Sequence, residues 1–280
     1  MPLIQNTYGK GQVRVLRVRR DTARHEVREL SVRTMLQGDF AASYTAGDNH
    51  AVVATDSIKN ITNIVARENL TASAELFGAA LASRFLERYP QVARVTVEMQ
   101  ETVWRRASVG GVPHHHSFVL DSNGKPFAAV SGTREATTTI SGINGFTFMK
   151  TTQSGWVEYV KDEYTTLPET TDRIAATAMD AHWSWRAPVE DYTISNALVL
   201  STMLDVFAST YSRSVQDSLY RMGEAALAAV PELATISLAC PNKHYLPINL
   251  SPFGLSSDNM VFTPTDEPHG QIECVVGRVN

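Results

Sequence analysis

An apolar run, Ala51-Val52-Val53-Ala54, leads directly into Thr55-Asp56-Ser57-Ile58-Lys59-Asn60. A hydroxyl and a carboxylate at a helix start lie among outward-pointing N–H groups, which favour an anion; an ordinary N-cap has the same composition. Lys10 sits between Gly9 and Gly11. Glycine neighbours let an amine approach a ligand closely, or leave it in a solvated turn. Arg173 ends the polar run from Tyr164. Its guanidinium can fork onto a planar anion, or pair with Asp172 or Glu169. Ser214-Val215-Gln216 marks another helix start, offering backbone donors and an amide that both donates and accepts. His244, in Pro241-Asn242-Lys243-His244-Tyr245, can carry protons near neutral pH, although a turn accounts for the Pro and Asn. His114 and His116 share a face if their segment is a strand, with His115 opposite. No carboxylate or cysteine cluster has the spacing to complete three or four converging zinc ligands, so the three histidines read as structural and no metal is expected.

These residues need elements to hold them. From Val92 to Trp104, Val95, Val97, Met99 and Val103 alternate with Arg94, Thr96, Glu98 and Gln100, the pattern of an antiparallel strand with one buried face. Val13–Val18 also reads as strand, following Tyr8–Gly11; its change of face from Val13/Val15 to Leu16/Val18 predicts a bulge. Ala51–Ala54, Ser117–Leu120, Ile236–Cys240, Tyr245–Leu250 and Ile272–Val276 are further strand candidates. Asp56 or Ser57 is expected to cap a helix bearing Ile58, Ile61 and Val65 on one side. Ser73 is expected to cap the next, with Phe77, Leu81 and Phe85 in a stripe until Pro90. The stretch after Arg173 looks helical, as does Asn196–Phe207. Ser214, with Asp217 three residues on, starts a helix carrying Val215, Leu219, Met222 and Ala226 and ending at Pro231. Strands, a helix pair and strands thus occur twice. Segregated runs imply an α+β fold with helices on one face of antiparallel sheets. The boundary is expected in the Thr-rich Ser131–Ile140, giving units 1–135 and 136–280. A second domain or another subunit must cover the other face of each sheet.

The chain has 280 residues, 43% of them hydrophobic, which suffices for one large or two ordinary domains. With 25 basic and 29 acidic residues and a net charge of -4, nothing points to nucleic acid or an anionic membrane as partner. Two distant cysteines, Cys240 and Cys274, suit a reducing compartment. The first residues lack a signal-peptide core, and Gly277-Arg278-Val279-Asn280 is not a Ser-Lys-Leu address. With no apolar run of membrane-spanning length, a cytoplasmic location is expected.

Taken together and in order, several segments resemble the urate oxidase (uricase) family. They are Tyr8-Gly-Lys10, Val53-Ala-Thr-Asp-Ser-Ile-Lys-Asn60, Asp162-Glu-Tyr-Thr-Thr-Leu167, Asp172-Arg173, Ser214-Val-Gln216, Pro241-Asn-Lys-His-Tyr245 and Val276-Gly-Arg278. The resemblance implies the tunnelling fold: two tandem units per chain, four chains closing their sheets into a barrel, and active sites shared between two subunits. It implies that Lys10 and Thr55 form a base dyad with His244 extending the proton relay. Arg173 and Gln216 would clamp a planar purine from opposite edges, and the N–H groups of Asp56 and Val215 would bond ring atoms. Asn242, with Thr55, would hold dioxygen and then water. Leu167 and Ile272 would supply apolar walls. Thr55 and Asp56 would come from one chain and most other site residues from its neighbour. Family members stack a Phe under the substrate; here Trp156 holds that position, so that either the pocket floor is shifted or a nearby ring such as Tyr159 serves instead. The segment Gly111-Val-Pro-His-His-His-Ser117 also departs from the family's Lys-Pro-His-x-His-Ser.

The implied reaction is oxidation of urate by dioxygen and water to 5-hydroxyisourate and hydrogen peroxide, without a cofactor. Triplet dioxygen reacts slowly with closed-shell molecules, and enzymes commonly recruit a flavin or metal for it. No Gly-x-Gly-x-x-Gly follows a strand here. A doubly deprotonated urate is itself a strong reductant. The chain then has to hold the ring flat, take a proton through a lysine of lowered pKa, and seat dioxygen over the ring. Three rival readings are another tunnelling-fold enzyme, such as a zinc-bearing cyclohydrolase or an aldolase, a non-catalytic purine binder, and a structural assembly protein.

Overall fold

The computed structural model describes residues 1–71 and 73–278; the expectation about the C-terminal four residues therefore falls partly outside them, at Val279 and Asn280. The chain divides into two compact units. The first, residues 1–142 with 184–196, begins with β1 (Tyr8–Arg19) and β2 (Glu26–Gly38), followed by the short α1 (Ala41–Thr45). Then come α2 (Thr55–Asn69), α3 (Ala74–Arg88), β3 (Val92–Val109), β4 (Val112–Asp121) and β5 (Lys125–Gly132). Two strands, β6 (Thr137–Lys150) and β7 (Ala175–Trp185), run through the boundary, as does α4 (Tyr192–Ser209). The second unit, residues 143–183 with 197 onward, also holds α5 (Val215–Ala229), β8 (Leu233–Pro247) and β9 (Phe262–Gly277).

In the first unit, antiparallel pairing runs β1-β2-β3-β5, with β4 hairpinned onto the far end of β3. One face of this sheet is the core. Val95, Val97 and Met99 of β3 are buried beside Leu30, Val32 and Leu36 of β2, and α3 lays Phe77, Leu81 and Phe85 across them. Each such side chain contributes roughly 1.5–3 kcal/mol by leaving water. Ser73 caps α3 as expected, accepting from the Leu76 N–H. The second unit repeats the device. Ser214 caps α5 by accepting from the Asp217 N–H, and Leu219, Met222 and Ala226 are buried, while β8 pairs antiparallel with β9. A large antiparallel sheet with, among the described residues, five α-helices agrees with the expected α+β class. Among the described residues no helix is long and apolar enough to cross a membrane.

Several local expectations are corrected. Ala51–Ala54 is not a strand but a loop entering α2. The helix starts at Thr55 behind Ala54, with no side-chain cap, so neither Asp56 nor Ser57 caps it. The Asp56 carboxylate instead accepts from Lys59 (2.5 Å) and Asn60 (3.0 Å) in the following turn. Tyr8–Gly11 does not precede β1 but opens it. The bulge falls between Lys10 and Val13, where Gln12 has φ 53°; pairing is regular from Val13 to Arg19. The stretch after Arg173 is strand β7, not helix. Pro241–Tyr245 is no turn: β8 runs unbroken through it, with a register shift between Asn242 and His244.

Candidate active site

Lys10, Thr55 and Asp56 lie in the first unit. Lys10 is the last paired residue before the β1 bulge, and bulges re-aim the side chains beside them. Gly9 is required here, because a Cβ would run into the Thr34 carbonyl of β2. The loop entering α2 is fastened to this strand: the Val53 N–H donates to Tyr8 Oη (2.7 Å), and the Tyr8 ring packs edge-on against Phe40 (4.8 Å). Burial raises the pKa of Tyr8, so its phenol stays protonated. Thr55 and Asp56 then stand exposed on the first turn of α2, with its free N–H groups around them. The Lys59 hydrogen bond, first, and the nearby Lys10 charge, last, hold the Asp56 carboxyl below its usual range. Lys10 and the α2 N-terminus are therefore neighbours.

The remaining candidates lie in the second unit, where three backbone segments are woven together. The Arg173 N–H donates to Ser154 O (2.8 Å), and Gly155 N–H to Ser212 O (2.9 Å). Trp156 and Thr170 exchange two bonds, of 2.7 and 3.0 Å. Buried Ser218 ties Ser212 to the start of α5 through bonds to Ser212 Oγ (2.7 Å) and Ser214 O (3.1 Å). Gly155 has no room for a Cβ, which would strike the Tyr211 hydroxyl. This weave sets Trp156, Arg173 and the α5 N-terminus side by side.

Arg173 is the most telling residue. Its Nε is buried without a hydrogen-bond partner, and its guanidinium carbon lies 5.9 Å from the Trp156 ring centroid. The carboxylates weighed as partners are engaged elsewhere. Asp172 accepts from Thr152 Oγ1 (2.9 Å) and the Gln153 N–H (3.2 Å), and Glu169 pairs with Lys161 (2.9 Å). Burial lowers the Arg173 pKa, and the opposing influence of Tyr211 does not offset it. A half-buried cation with no carboxylate paired to it among the described residues, next to an aromatic ring, suits a planar anion.

Gln216 is exposed on the first turn of α5 and Val215 is half-buried. Val215 and Asn242 share the wall of a cavity of about 30 Å³, otherwise lined chiefly by apolar residues such as Phe148, Phe207 and Met222. Cys240 also lines it, its thiol pushed up to about 11 by burial. Asn242 lies opposite Gly270 and His244 opposite Thr265. The offset between these pairs re-aims the strand at this point. Ile272 lies opposite Cys240, and Leu167 has an exposed side chain while its carbonyl accepts the Tyr159 hydroxyl. His114 and His116 lie on β4 with ring centroids 4.6 Å apart. Among the described residues no three His, Cys, Asp or Glu converge on one point.

The supporting residues Ser154, Ser212, Ser218 and Tyr211 escape sequence reasoning. Short polar side chains satisfying buried backbone look the same as loop residues until the fold is known. Gly155, directly before an aromatic residue, is the one local hint.

The Uricase family model matches residues 6–131 and 139–273. The uricase of Arthrobacter globiformis is 39% identical over 98% of this chain and 89% of that protein. The uricase of Aspergillus flavus is 38% identical over 97% and 95% respectively. The crystal structure of the Arthrobacter globiformis uricase superposes with a TM-score of 0.94 at 38% identity, covering 99% of this chain and 95% of that one. The urate oxidase of Bacillus sp. TB-90, 23% identical, shares the fold with a TM-score of 0.86 over 98% of this chain and 100% of that one. Full-length agreement of family model, relatives and fold means that this chain is an enzyme of the uricase family.

Proposed function

We infer that the chain oxidises urate with dioxygen and water to 5-hydroxyisourate and hydrogen peroxide, needing neither flavin nor metal. The carrying observation is Arg173: a partly desolvated guanidinium with a buried, unpartnered Nε, beside the Trp156 ring. An anionic purine supplies both the missing charge and a flat face. Arg173 and Gln216 hold opposite edges of the ring, while the Val215 and Asp56 N–H groups bond ring atoms. Lys10 and Thr55 take the proton that makes urate a dianion, and His244 extends the relay. Two electrons then pass from the purine to dioxygen, and water supplies the hydroxyl of the product. Asn242, on the wall of the small apolar cavity, seats dioxygen and then water together with Thr55. Leu167 and Ile272 complete the apolar walls.

We further infer two tunnelling-fold units, near 1–135 and 136–280, assembling as a homotetramer whose barrel closes the open sheet faces. Each site then takes Thr55 and Asp56 from one subunit and Arg173, Gln216 and Asn242 from the next. The placement of these two sets in different units of the chain is in keeping with such sharing. A cytoplasmic location suits the two free thiols. The test is direct. Demetallated, flavin-free protein in aerated buffer is expected to consume urate and release one hydrogen peroxide per urate. Loss of turnover on removing metal, with recovery on adding it back, would overturn the reading.

A further inference from the structure

The segment between Trp156 and Thr170 folds back on itself. The two-bond pairing of Trp156 with Thr170 closes its base. At Glu158 the backbone turns through φ 59°, and the Glu158 N–H donates to Glu169 Oε1 (3.0 Å). This turn brings Tyr159 onto Trp156, with ring centroids 5.4 Å apart and planes 11° from parallel. The Tyr159 hydroxyl donates to the Leu167 carbonyl, fixing the ring from its far end. Lys161 Nζ lies 5.7 Å from the Tyr159 ring centroid and is held by Glu169 at 2.9 Å. The tyrosine ring is thus fixed by its hydroxyl, by a neighbouring cation and by the reversed backbone.

We propose that Tyr159 is a positioning residue for the purine site: stacked on Trp156, it sets the plane of the indole against which the substrate lies beside Arg173. The inference rests on the proposed purine site and deepens it. An indole on a loop otherwise has two soft torsions, and holding it flat removes an ordering cost from binding. Parallel stacking of two aromatic rings is worth enough to hold one rotamer over others. Because Tyr159 acts through Trp156, it governs how tightly a planar ring is held and leaves proton removal and dioxygen seating alone.

The test measures calorimetric affinity for xanthine, a planar purine lacking the C8 oxygen, together with urate kinetics, on the full-length protein. Tyr159→Leu is expected to weaken xanthine binding and raise the urate KM roughly three- to tenfold, with kcat nearly unchanged. Tyr159→Phe keeps the ring and is expected to restore most of the affinity. In a Trp156→Leu background, Tyr159→Leu is expected to cost nothing further. Unchanged xanthine affinity in Tyr159→Leu, or costs that add independently of Trp156, overturns the positioning role while leaving the site itself intact. Unchanged affinity in Trp156→Leu alone overturns the purine site on which the inference rests. Should Tyr159→Leu fold poorly, Tyr159→His keeps a flat ring without the stacking area, and wild-type affinity there overturns the proposal.

Discussion

Arg173 shows why burial without a partner deserves more weight than residue type. A surface arginine near carboxylates contributes little and would tolerate replacement. Here both nearby carboxylates are occupied and the guanidinium is half-desolvated. Arg173→Ala is therefore expected to raise the urate KM roughly 10- to 100-fold, the worth of a charged hydrogen bond, with a smaller effect on kcat. Steady-state kinetics check this, and an unchanged KM counts against the clamp. Lys10→Met and Thr55→Ala touch proton transfer instead. Each is expected to lower kcat about 10²- to 10⁴-fold while the assembly stays intact by light scattering. Wild-type-like turnover in either would exclude the dyad.

Among the elements, the helix starts matter most. Ser214 caps α5 and also accepts a bond from Ser218, which locks the segment carrying Arg173's neighbours. Ser214→Ala is expected to lower unfolding stability by about 1 kcal/mol, read by chemical denaturation, and to raise the urate KM because the α5 N-terminus loosens. The pairing of β2 with β3 makes a second testable point. Glu101 on β3 is pushed above its ordinary pKa, first by burial and then by the charge of Glu75, against the favourable Arg28 ion pair (3.1 Å). A carboxyl whose folded pKa exceeds its unfolded value binds its proton more tightly when folded. Its contribution is thus fully present below the unfolded value near 4.5 and is lost as pH rises through the folded value. Wild-type stability relative to Glu101→Gln is accordingly expected to fall as pH rises from about 4.5 towards neutrality. A difference independent of pH in urea titrations would contradict this.

At the scale of the whole molecule, the two sets of candidate residues belong to different units: Lys10, Thr55 and Asp56 to the first, Trp156, Arg173, Gln216, Asn242 and His244 to the second. If sites are shared between subunits, two inactive variants can repair each other. Refolding Thr55→Ala together with Arg173→Ala is expected to restore about one quarter of wild-type activity, since random mixing gives that share of sites both intact residues. No recovery in mixtures shown to be hetero-oligomeric would mean that both residues act from one chain.

Local chemistry was legible in the residues themselves. Ser73 and Ser214 cap their helices because an N-cap bond spans only three residues, and the stripes Phe77–Leu81–Phe85 and Leu219–Met222–Ala226 face inward because helical period alone puts them together. The motifs carrying the family resemblance were equally visible. What spans the sequence was not. The Ala-rich stretch after Arg173 has helical propensity but becomes β7, with Thr177, Met179, Ala181 and Trp183 buried at strand period, because sheet partners far along the chain override a few tenths of a kcal/mol per residue. Pro241 reads as a turn, yet β8 absorbs it opposite Gln271, just before the register shift between Asn242 and His244. The bulge beside Lys10, the stacking of Tyr159 on Trp156 and the unpartnered Nε of Arg173 were likewise decided only in the folded chain. Each depends on which distant backbone comes alongside, and no short-range rule carries that information.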